Sequence, residues 1–382
     1  MSDLKVVLCD DIKQLGTLDA AWRRLVESVP TYSACQEFDF ALCGWETLPK
    51  GPDTKLAVVT VWRGEEMVCA WPLYTQRNGM VTVACHLGSG DLHEYAGPLV
   101  RNDDDTETVV HAALDALKAV ADVVKVYNVH APSRIVQAIS SYSAPKWGSA
   151  TTAPVVSLAG VSDWDDWSKT MSKKFRASLR YYRKNLAEMG KLDFRLMVGP
   201  DEGVRCMAWI FEAKREWLVA QKIERSFFLN PQIEAFFMKL SERAPRADGR
   251  AYGVQTYAMT LDDKIIAACI CLNSGDRIEY HTTTFDPAYG LQSPGSLLIQ
   301  DCVTMCIARG VDFDFRMGQS SYKSRWSDRQ DGLQNFSIAF TSKGQLAVTV
   351  EAARAAVHGL RVKYGPRIKA LLRRGRSEDR PT

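Results

Sequence analysis

The sequence contains no apolar run long enough to span a membrane. A helix that crosses a bilayer needs about 20 consecutive apolar residues, and no apolar segment of the 382-residue chain approaches that length. The first residues carry neither the apolar stretch nor the small-residue cleavage site of a signal peptide. We therefore expect a cytoplasmic protein.

Histidine is scarce, and the cysteines form no metal-binding pairs. The chain has 6 histidines and 10 cysteines, without a C-x-x-C pair and without a cluster of histidines and cysteines. Cys269 and Cys271 alternate along an apolar segment, and Cys302 and Cys306 are one helical turn apart. Reduced cysteines usually behave as small buried hydrophobes. We therefore expect no metal.

The chain has no excess of charge of one sign. Lys and Arg together number 48 against 45 Asp and Glu, so the net charge is +3. Such a balance gives no general attraction for a polyanion, and no nucleic-acid partner is expected. With 46% hydrophobic and 24% charged residues, the composition is that of a globular protein long enough for two domains.

A strand, a loop and a helix are predicted over residues 277–309. The Tyr- and Thr-rich segment 277–284 predicts a strand that ends at an Asp-Pro turn signal. The following helix has Ser293 or Ser296 available as its N-cap and Gly310 as its C-terminal stop. A helix that begins in a glycine-containing turn leaves unpaired N–H groups at its positive end, so it suits a phosphate or pyrophosphate.

The spacing of Gln292, Gly295 and Ser296 between a strand and a helix resembles the pyrophosphate-binding loop of GNAT acyltransferases. The resemblance implies acetyl-CoA, or another acyl-CoA, as the donor substrate, held by these three residues and Ser293. One position departs from the superfamily pattern, which ends in a small Gly or Ala where this chain has Leu297.

A second set of motifs is longer. It comprises Phe285-Asp286-Pro287, Ser293-Pro294-Gly295, Asp314-Phe315 and Tyr322-Lys323-x-Arg325-Trp326. Over about residues 165 to 345 it resembles the bacterial acetyltransferases associated with cellulose and other exopolysaccharides, which are FemAB-like members of the GNAT superfamily. That resemblance implies a tandem GNAT fold and acetyl transfer to an amino sugar of an exopolysaccharide, or to its nucleotide- or lipid-linked precursor. The family usually has an acidic residue where this chain has Gln319, Ser320 and Ser321.

The two halves of the chain are predicted to contain the same order of secondary-structure elements, although their sequences are only faintly similar. Hairpins are predicted around Arg63-Gly64-Glu65-Glu66 and around Asp262-Asp263-Lys264, and each is followed later by a helix and a strand. With the tandem halves that the resemblance implies, we expect an α/β (α+β mixed sheet) fold of tandem, FemAB-like GNAT domains. The expected divisions are a degenerate GNAT-like domain at 1–150, a catalytic GNAT-like domain at 151–350 and a basic C-terminal helix and tail at 351–382, with the crossover between halves at 141–160.

Four residues are predicted to carry the chemistry. An amine that attacks a thioester needs a base, and the leaving thiolate needs an acid. Glu279 and His281 are the candidate bases, because side chains two residues apart on a strand point to the same face. His281 is preferred because imidazole titrates near neutrality. A purely structural histidine is the alternative. Tyr322 is the candidate acid. Asp314 is expected to orient the loop through a nearby basic residue or backbone donors.

Basic residues are predicted to bind the phosphates of the acceptor. Arg176 and Arg180 share a face of the basic helix predicted from residue 173, and Lys323 and Arg325 belong to the Tyr-Lys-x-Arg-Trp loop. Guanidinium groups match phosphate oxygens, which a sugar nucleotide or lipid-linked sugar would provide. A solvated basic face is the alternative for the helix. The basic stretch 354–376 is interpreted as a packed helix with a frayed tail, a weak membrane-surface contact at the inner membrane face, or a nucleotide site.

Other interpretations stay open. His93 and Glu94 are candidate acceptor-site residues or ordinary polar loop residues. A FemAB-like transferase that uses aminoacyl-tRNA on a cell-wall precursor is the second enzymatic hypothesis, although the chain lacks a coiled-coil arm. A non-enzymatic binding protein is the third, because Leu297 makes the donor loop degenerate.

Overall fold

The computed structural model describes residues 4–47, 50–88, 95–101, 103, 105–243, 253–318 and 320–357. The candidate acceptor residues His93 and Glu94 lie outside these ranges, as do Gln319 and the basic stretch from residue 358 onward. In the part of the chain that is described, no helix combines the length and the apolar character needed to cross a bilayer.

The first half of the chain contains elements β1 to β9 and α1 to α5. In chain order they are β1 (Leu4–Cys9), α1 (Ile12–Thr17), α2 (Asp19–Ser28), α3 (Phe38–Thr47), β2 (Lys55–Leu56), β3 (Val58–Arg63), β4 (Glu66–Trp71), β5 (Leu73–Asn78), β6 (Val81–His86), β7 (Leu99–Val100), α4 (Thr106–Leu117), β8 (Val123–Ala131), α5 (Arg134–Ser141) and β9 (Lys146–Val156).

The second half continues with α6 to α11 and β10 to β15. In chain order they are α6 (Trp164–Trp167), α7 (Lys173–Met189), β10 (Leu192–Met197), α8 (Val204–Ala220), α9 (Pro231–Arg243), β11 (Gly253–Leu261), β12 (Lys264–Asn273), β13 (Arg277–Phe285), α10 (Pro294–Arg309), β14 (Asp312–Asp314), β15 (Arg329–Ala339) and α11 at 342–357. Helix α10 ends where Gly310 takes the left-handed conformation at φ 67°, as its sequence predicts.

The strands form a small sheet and a large mixed sheet. The small sheet has the order β1-β3-β4-β7, and the large one has the order β10-β11-β12-β13-β14-β9-β15-β8-β6-β5-β2. Two parallel pairs, β6 with β8 and β13 with β14, each enclose one helix in the chain order. The repeated order of elements and the mixed α/β fold class are therefore confirmed.

The two halves are joined by strand exchange. Strand β9 lies between β14 and β15, and β15 in turn pairs with β8 of the first half. The segment 141–160, predicted as a crossover because of Gly148 and Pro154, is thus largely a central strand. A Cβ on Gly148 would lie 2.9 Å from the carbonyl oxygen of Asn335, so glycine permits a close approach to β15. The Pro154 carbonyl accepts a hydrogen bond from the N–H of Phe315.

Helices cover both faces of the strands from β10 to β14. On one face, Leu179 and Leu186 of α7 join the core formed with α10. On the other face, Phe211 of α8 and Phe237 of α9 pack with Phe40 of α3. The candidate site lies within this sheet, where strands β13 and β14 separate.

Candidate active site

Strands β13 and β14 separate soon after they begin. They pair only from Arg277 to Glu279 opposite Asp312 to Asp314. Beyond this point β13 continues to Phe285, whereas β14 has ended. An opening therefore begins next to Glu279 and Asp314.

A β-bulge lies at the start of this opening. Cys271 is opposite Tyr280 and Ile270 is opposite Thr282, so His281 is the additional residue in β13. A bulge breaks the ladder and redirects nearby backbone groups, which is common next to active sites. Period-two alternation alone does not predict this irregularity.

The uncapped N-terminus of α10 follows β13. Ser293 occupies the N-cap position in the left-handed conformation, with φ 47° and ψ 51°, and makes no side-chain cap hydrogen bond. Its Oγ instead lies 3.1 Å from Oγ of Ser296. Among the described residues the buried Oε1 of Gln292 has no hydrogen-bond partner. The first turn of α10 therefore combines uncompensated N–H groups with an unused polar atom, an arrangement that suits an anionic ligand.

A glycine keeps this turn open. A Cβ on Gly295 would lie 3.6 Å from Cδ1 of Phe285, which is an ordinary van der Waals contact. Alanine therefore fits at this position, whereas a large side chain would fill the space at the start of α10.

Two fully buried carboxylates lie where the strands separate. Arg316 places its Nη1 3.1 Å from Oε2 of Glu279, and the hydroxyl of Ser274 donates to Oε1 of the same residue. Asp314 accepts hydrogen bonds from the hydroxyl of Tyr95 at 2.9 Å and from the backbone N–H of Arg316 at 2.6 Å. The carboxylates are therefore compensated by charge and by hydrogen bonds, as burial requires.

Arg277 connects this group to β15. Its Nη1 lies 2.9 Å from Oδ2 of Asp331 and 3.5 Å from Oδ2 of Asp314. Asp314 was predicted to pair with Arg316, Lys323 or Arg325 or with backbone donors. The backbone donor is present, and the side chain that forms an ion pair with Asp314 is Arg277, which lies two residues before Glu279, the residue opposite Asp314.

Burial changes the proton affinities of this group. Burial raises the pKa of Glu279, Asp314 raises it further, and the positive charge of Arg316 opposes the shift. Burial also raises the pKa of Tyr95 well above its ordinary value, so its hydroxyl is a hydrogen-bond donor to Asp314 at neutral pH. Burial therefore disfavours the ionised form of both Glu279 and Tyr95.

A cavity of about 460 Å³ adjoins the cluster. Glu279, Arg277 and Asp331 contribute to its wall from the second half, and Ser33, Tyr95 and His130 contribute from the first half. The volume is within the range of pockets that hold small-molecule ligands. Glu279 therefore lies both at the strand opening and at the wall of a cavity between the two halves.

His281 lies against an aromatic wall. Its ring centroid is 5.2 Å from that of Phe237 and 5.8 Å from that of Phe227, both in edge-to-face geometry. Both candidate bases, Glu279 and His281, are on β13, but the cavity wall includes only Glu279 of the two.

The loop after β14 holds three of the predicted residues. Tyr322 is 37% exposed, its ring is 6.0 Å from that of Phe315, and burial raises its pKa. The ammonium of Lys323 donates to the carbonyl oxygens of Phe315 and Met317, each at 2.9 Å, and burial lowers its pKa to about 8. Its predicted phosphate contact stays a prediction. Arg325 is exposed.

The basic helix α7 packs across α10. Arg183 donates to Asp301 at 2.6 Å and to Gln300 at 3.2 Å. Arg176 is half-buried, and within the described ranges its buried Nε has no hydrogen-bond partner. Arg180 is exposed. The two predicted phosphate ligands therefore differ in exposure: Arg176 has a buried donor without a hydrogen-bond partner among the described residues, and Arg180 faces solvent.

Several residues of the site are not predicted from the sequence. Tyr95, Ser274 and Arg277 carry no local motif and meet the carboxylates through contacts that only the fold creates. The signal that could have identified Arg277 is a second charged residue, two positions before Glu279 and therefore on the same face of the strand.

Part of the chain matches a known family model, and nearly the whole chain is similar to several solved structures. The family model described as acetyltransferase (GNAT) domain matches residues 173–324. Among solved structures, FemX gives a TM-score of 0.60 at 10% identity, covering 90% of this chain and 99% of that one. L-PGS from Bacillus licheniformis gives 0.51 at 13% identity, covering 90% and 96%. A conserved protein of unknown function from Bacteroides thetaiotaomicron gives 0.53 at 12% identity, covering 88% and 100%.

At such low identity these structures establish the fold alone. No curated protein sequence matches the chain. The chain thus has a mixed α/β fold shared with FemX, within which residues 173–324 match the model of the acetyltransferase (GNAT) domain.

Proposed function

We propose that the protein is an acyl-CoA-dependent N-acyltransferase that transfers an acetyl group to an amino sugar of an exopolysaccharide or of its nucleotide- or lipid-linked precursor. The observation that carries this proposal is the opening between β13 and β14, which is followed by the uncapped N-terminus of α10. The donor's pyrophosphate binds the first turn of α10, where Gln292, Ser293, Gly295 and Ser296 lie. Arg176 is a candidate for an additional phosphate contact.

The reaction begins with a neutral amine in the cavity between the halves. The amine nitrogen attacks the thioester carbon, and a backbone N–H of β13 near the bulge stabilises the developing oxyanion. Glu279 accepts the proton that the nitrogen loses, because it is one of the residues that line the cavity and burial raises its pKa. The C–S bond then breaks, and Tyr322 supplies a proton to the thiolate.

Three other polar residues hold Glu279 and Tyr322 in position. Asp314 ties β14 to Tyr95 of the first half and to the backbone of Arg316. Lys323 fixes the loop that carries Tyr322 by binding backbone carbonyls. Arg316 keeps Glu279 compensated once that residue has ionised.

Calorimetric titration of acetyl-CoA tests the donor site. Wild type and Gly295→Ala should bind with similar affinity, since the alanine methyl group meets Phe285 at an ordinary distance. Gly295→Trp should lose binding while it keeps the circular dichroism spectrum of wild type. Wild-type protein that binds no acetyl-CoA, or Gly295→Trp protein that binds as well as wild type, would contradict the proposal.

A second candidate is a FemAB-like transferase that takes its acyl group from aminoacyl-tRNA. It is favoured by the fold shared with FemX along nearly the whole chain. Transfer that depends on charged tRNA and is unaffected by Gly295→Trp would support this candidate. Binding of neither donor would favour the non-enzymatic hypothesis.

A further inference from the structure

Three cysteine side chains converge in the core behind β13. Cys269 and Cys271 come from β12, and Cys302 comes from the third turn of α10. The Sγ atom of Cys269 lies 3.8 Å from Sγ of Cys271 and 3.8 Å from Sγ of Cys302. All three Sγ atoms lie within 4.8 Å of one another, and all three residues are fully buried.

These separations match the spacing of thiolates around one metal ion. Zinc holds cysteine sulfurs at about 2.3 Å in tetrahedral geometry, so two such sulfurs are separated by about 3.8 Å. Two of the three sulfur pairs already have this separation before any ion binds. The third pair, Cys271 and Cys302, has its sulfurs within 4.8 Å of each other, so a small movement of these side chains would give the geometry of a metal site.

We propose that Cys269, Cys271 and Cys302 form a structural site for a thiophilic metal ion of the Zn(II) or Cu(I) class. The sequence does not predict it, because the pair on β12 and the residue on α10 are more than thirty positions apart and only the fold brings them together. Thiolate ligands select these soft ions over Mg²⁺ or Ca²⁺.

Binding is accompanied by the loss of the thiol protons. Each cysteine that ligates the ion releases its proton to solvent, and the positive charge of the ion compensates the thiolates that remain. Without metal the neutral thiols pack as small apolar groups. Since the three residues have no exposed surface, the ion is expected to enter while the chain folds.

The position of the site gives it a structural role. It would link β12 to α10, the helix whose first turn is the proposed donor site. A bound ion would therefore fix α10 against the sheet beside β13. This role does not depend on which donor the protein uses, so the test below is separate from the test of function.

Metal content after refolding tests the site. Wild-type protein is unfolded with a reductant and a chelator, then refolded with Zn(II), with Cd(II) as a spectroscopic probe, or with chelator alone. In the protein refolded with Zn(II) we expect about one metal ion per chain by elemental mass spectrometry, and a higher midpoint of thermal unfolding than in the protein refolded with chelator alone. In the protein refolded with Cd(II) we expect a Cd(II)–thiolate charge-transfer band. Cys306→Ser is the matched control, because Cys306 is equally buried on the same helix but outside the cluster.

Cys302→Ser should lose the metal and the charge-transfer band, whereas Cys306→Ser should retain both. Equal metal content in wild type and Cys302→Ser would overturn the proposal, and so would loss of metal in both variants. If Cys302→Ser does not fold, the wild-type protein provides the test. Wild type that binds no metal after refolding with Zn(II), and that has the same midpoint of thermal unfolding as wild type refolded with chelator alone, would overturn the proposal. A disulfide between Cys269 and Cys302 in unreduced protein, detected as two missing thiols, would also contradict it.

Discussion

Glu279 lies opposite Asp314 at the last paired position of the parallel strands β13 and β14, and both side chains are completely buried. Two adjacent carboxylates in an apolar layer are unfavourable unless positive charge and hydrogen bonds compensate them. Arg316 contacts Glu279, and Arg277 contacts Asp314. Asp314 also accepts hydrogen bonds from Tyr95 and from a backbone N–H, and Glu279 accepts one from Ser274. Burial nevertheless raises the pKa of Glu279. Glu279 is thus poised to accept a proton.

The first prediction concerns the identity of the base. Glu279→Gln preserves shape and removes the basic oxygen, so kcat should fall by about 10²- to 10³-fold while KM for acyl-CoA changes little. The measurement is the rate of CoA release with an amino-sugar acceptor. His281→Asn is the comparison variant and should retain most of the activity, because the ring of His281 packs against Phe237 rather than lining the cavity. A larger loss in His281→Asn than in Glu279→Gln would make His281 the base.

The raised pKa of Glu279 predicts the direction of two pH effects. As a base it must be ionised, so kcat/KM should rise with pH through a pKa above the ordinary value of a glutamate. Between the ordinary and the raised pKa the folded state binds more protons than the unfolded state, so the free energy of unfolding should decrease as pH rises across this window. Glu279→Gln should remove both effects. A rate profile whose acidic limb is unchanged in this variant would assign the limb to another group.

The sequence predicts the local parts of the site better than its tertiary parts. The loop before α10, the stop at Gly310 and the hairpin at Asp262 and Asp263 depend on short-range backbone preferences, and both aspartates take the left-handed conformation that such a turn requires. The contact between Tyr95 and Asp314 joins residues 219 positions apart. No periodicity or motif encodes such a distance along the chain.

Three residues occur in settings that their residue types do not suggest. Gly148 and Pro154 are typical of linkers, but here they occur in a strand, because glycine allows the close approach of β15 and the proline carbonyl still accepts a hydrogen bond. Lys323 is typical of phosphate sites, but here its ammonium binds carbonyl oxygens that follow β14. Residue type alone does not show whether a donor is already used within the protein.

The loop that carries Tyr322 should depend on Lys323. Lys323→Met removes hydrogen bonds to backbone carbonyls, so it should lower the free energy of unfolding by about 1–3 kcal/mol and reduce activity. Arg325→Met is the matched control from the same loop and should leave stability within about 0.5 kcal/mol of wild type, because Arg325 is exposed. Denaturant titration measures both. Equal stabilities of the two variants would contradict the assigned role of Lys323.

Tyr322→Phe tests the proton donor to the thiolate. The substitution keeps the ring near Phe315 and removes the hydroxyl, so kcat should fall by about 10- to 100-fold with little change in thermal stability. The loss should be larger with acetyl-CoA than with a donor whose thiolate leaving group is less basic, because a good leaving group needs less protonation. A loss that is independent of the leaving group would indicate that Tyr322 positions the substrate instead.

The contact of Arg183 with Asp301 fixes α7 against α10, and its removal should have a characteristic pH dependence. The side chain of Asp301 is 15% exposed and burial raises its pKa, while Arg183 opposes that shift from 2.6 Å. Arg183→Met leaves this carboxylate uncompensated, so we expect a loss of about 1–3 kcal/mol at neutral pH, less than for a fully buried pair because Arg183 is itself 36% exposed. The loss should shrink as pH falls and Asp301 becomes protonated in the folded state. Asp301→Asn should suppress most of the effect in the double variant. Denaturant titrations of the four proteins at several pH values measure the coupling, and a loss that persists unchanged in the double variant would show that Arg183 contributes packing rather than charge.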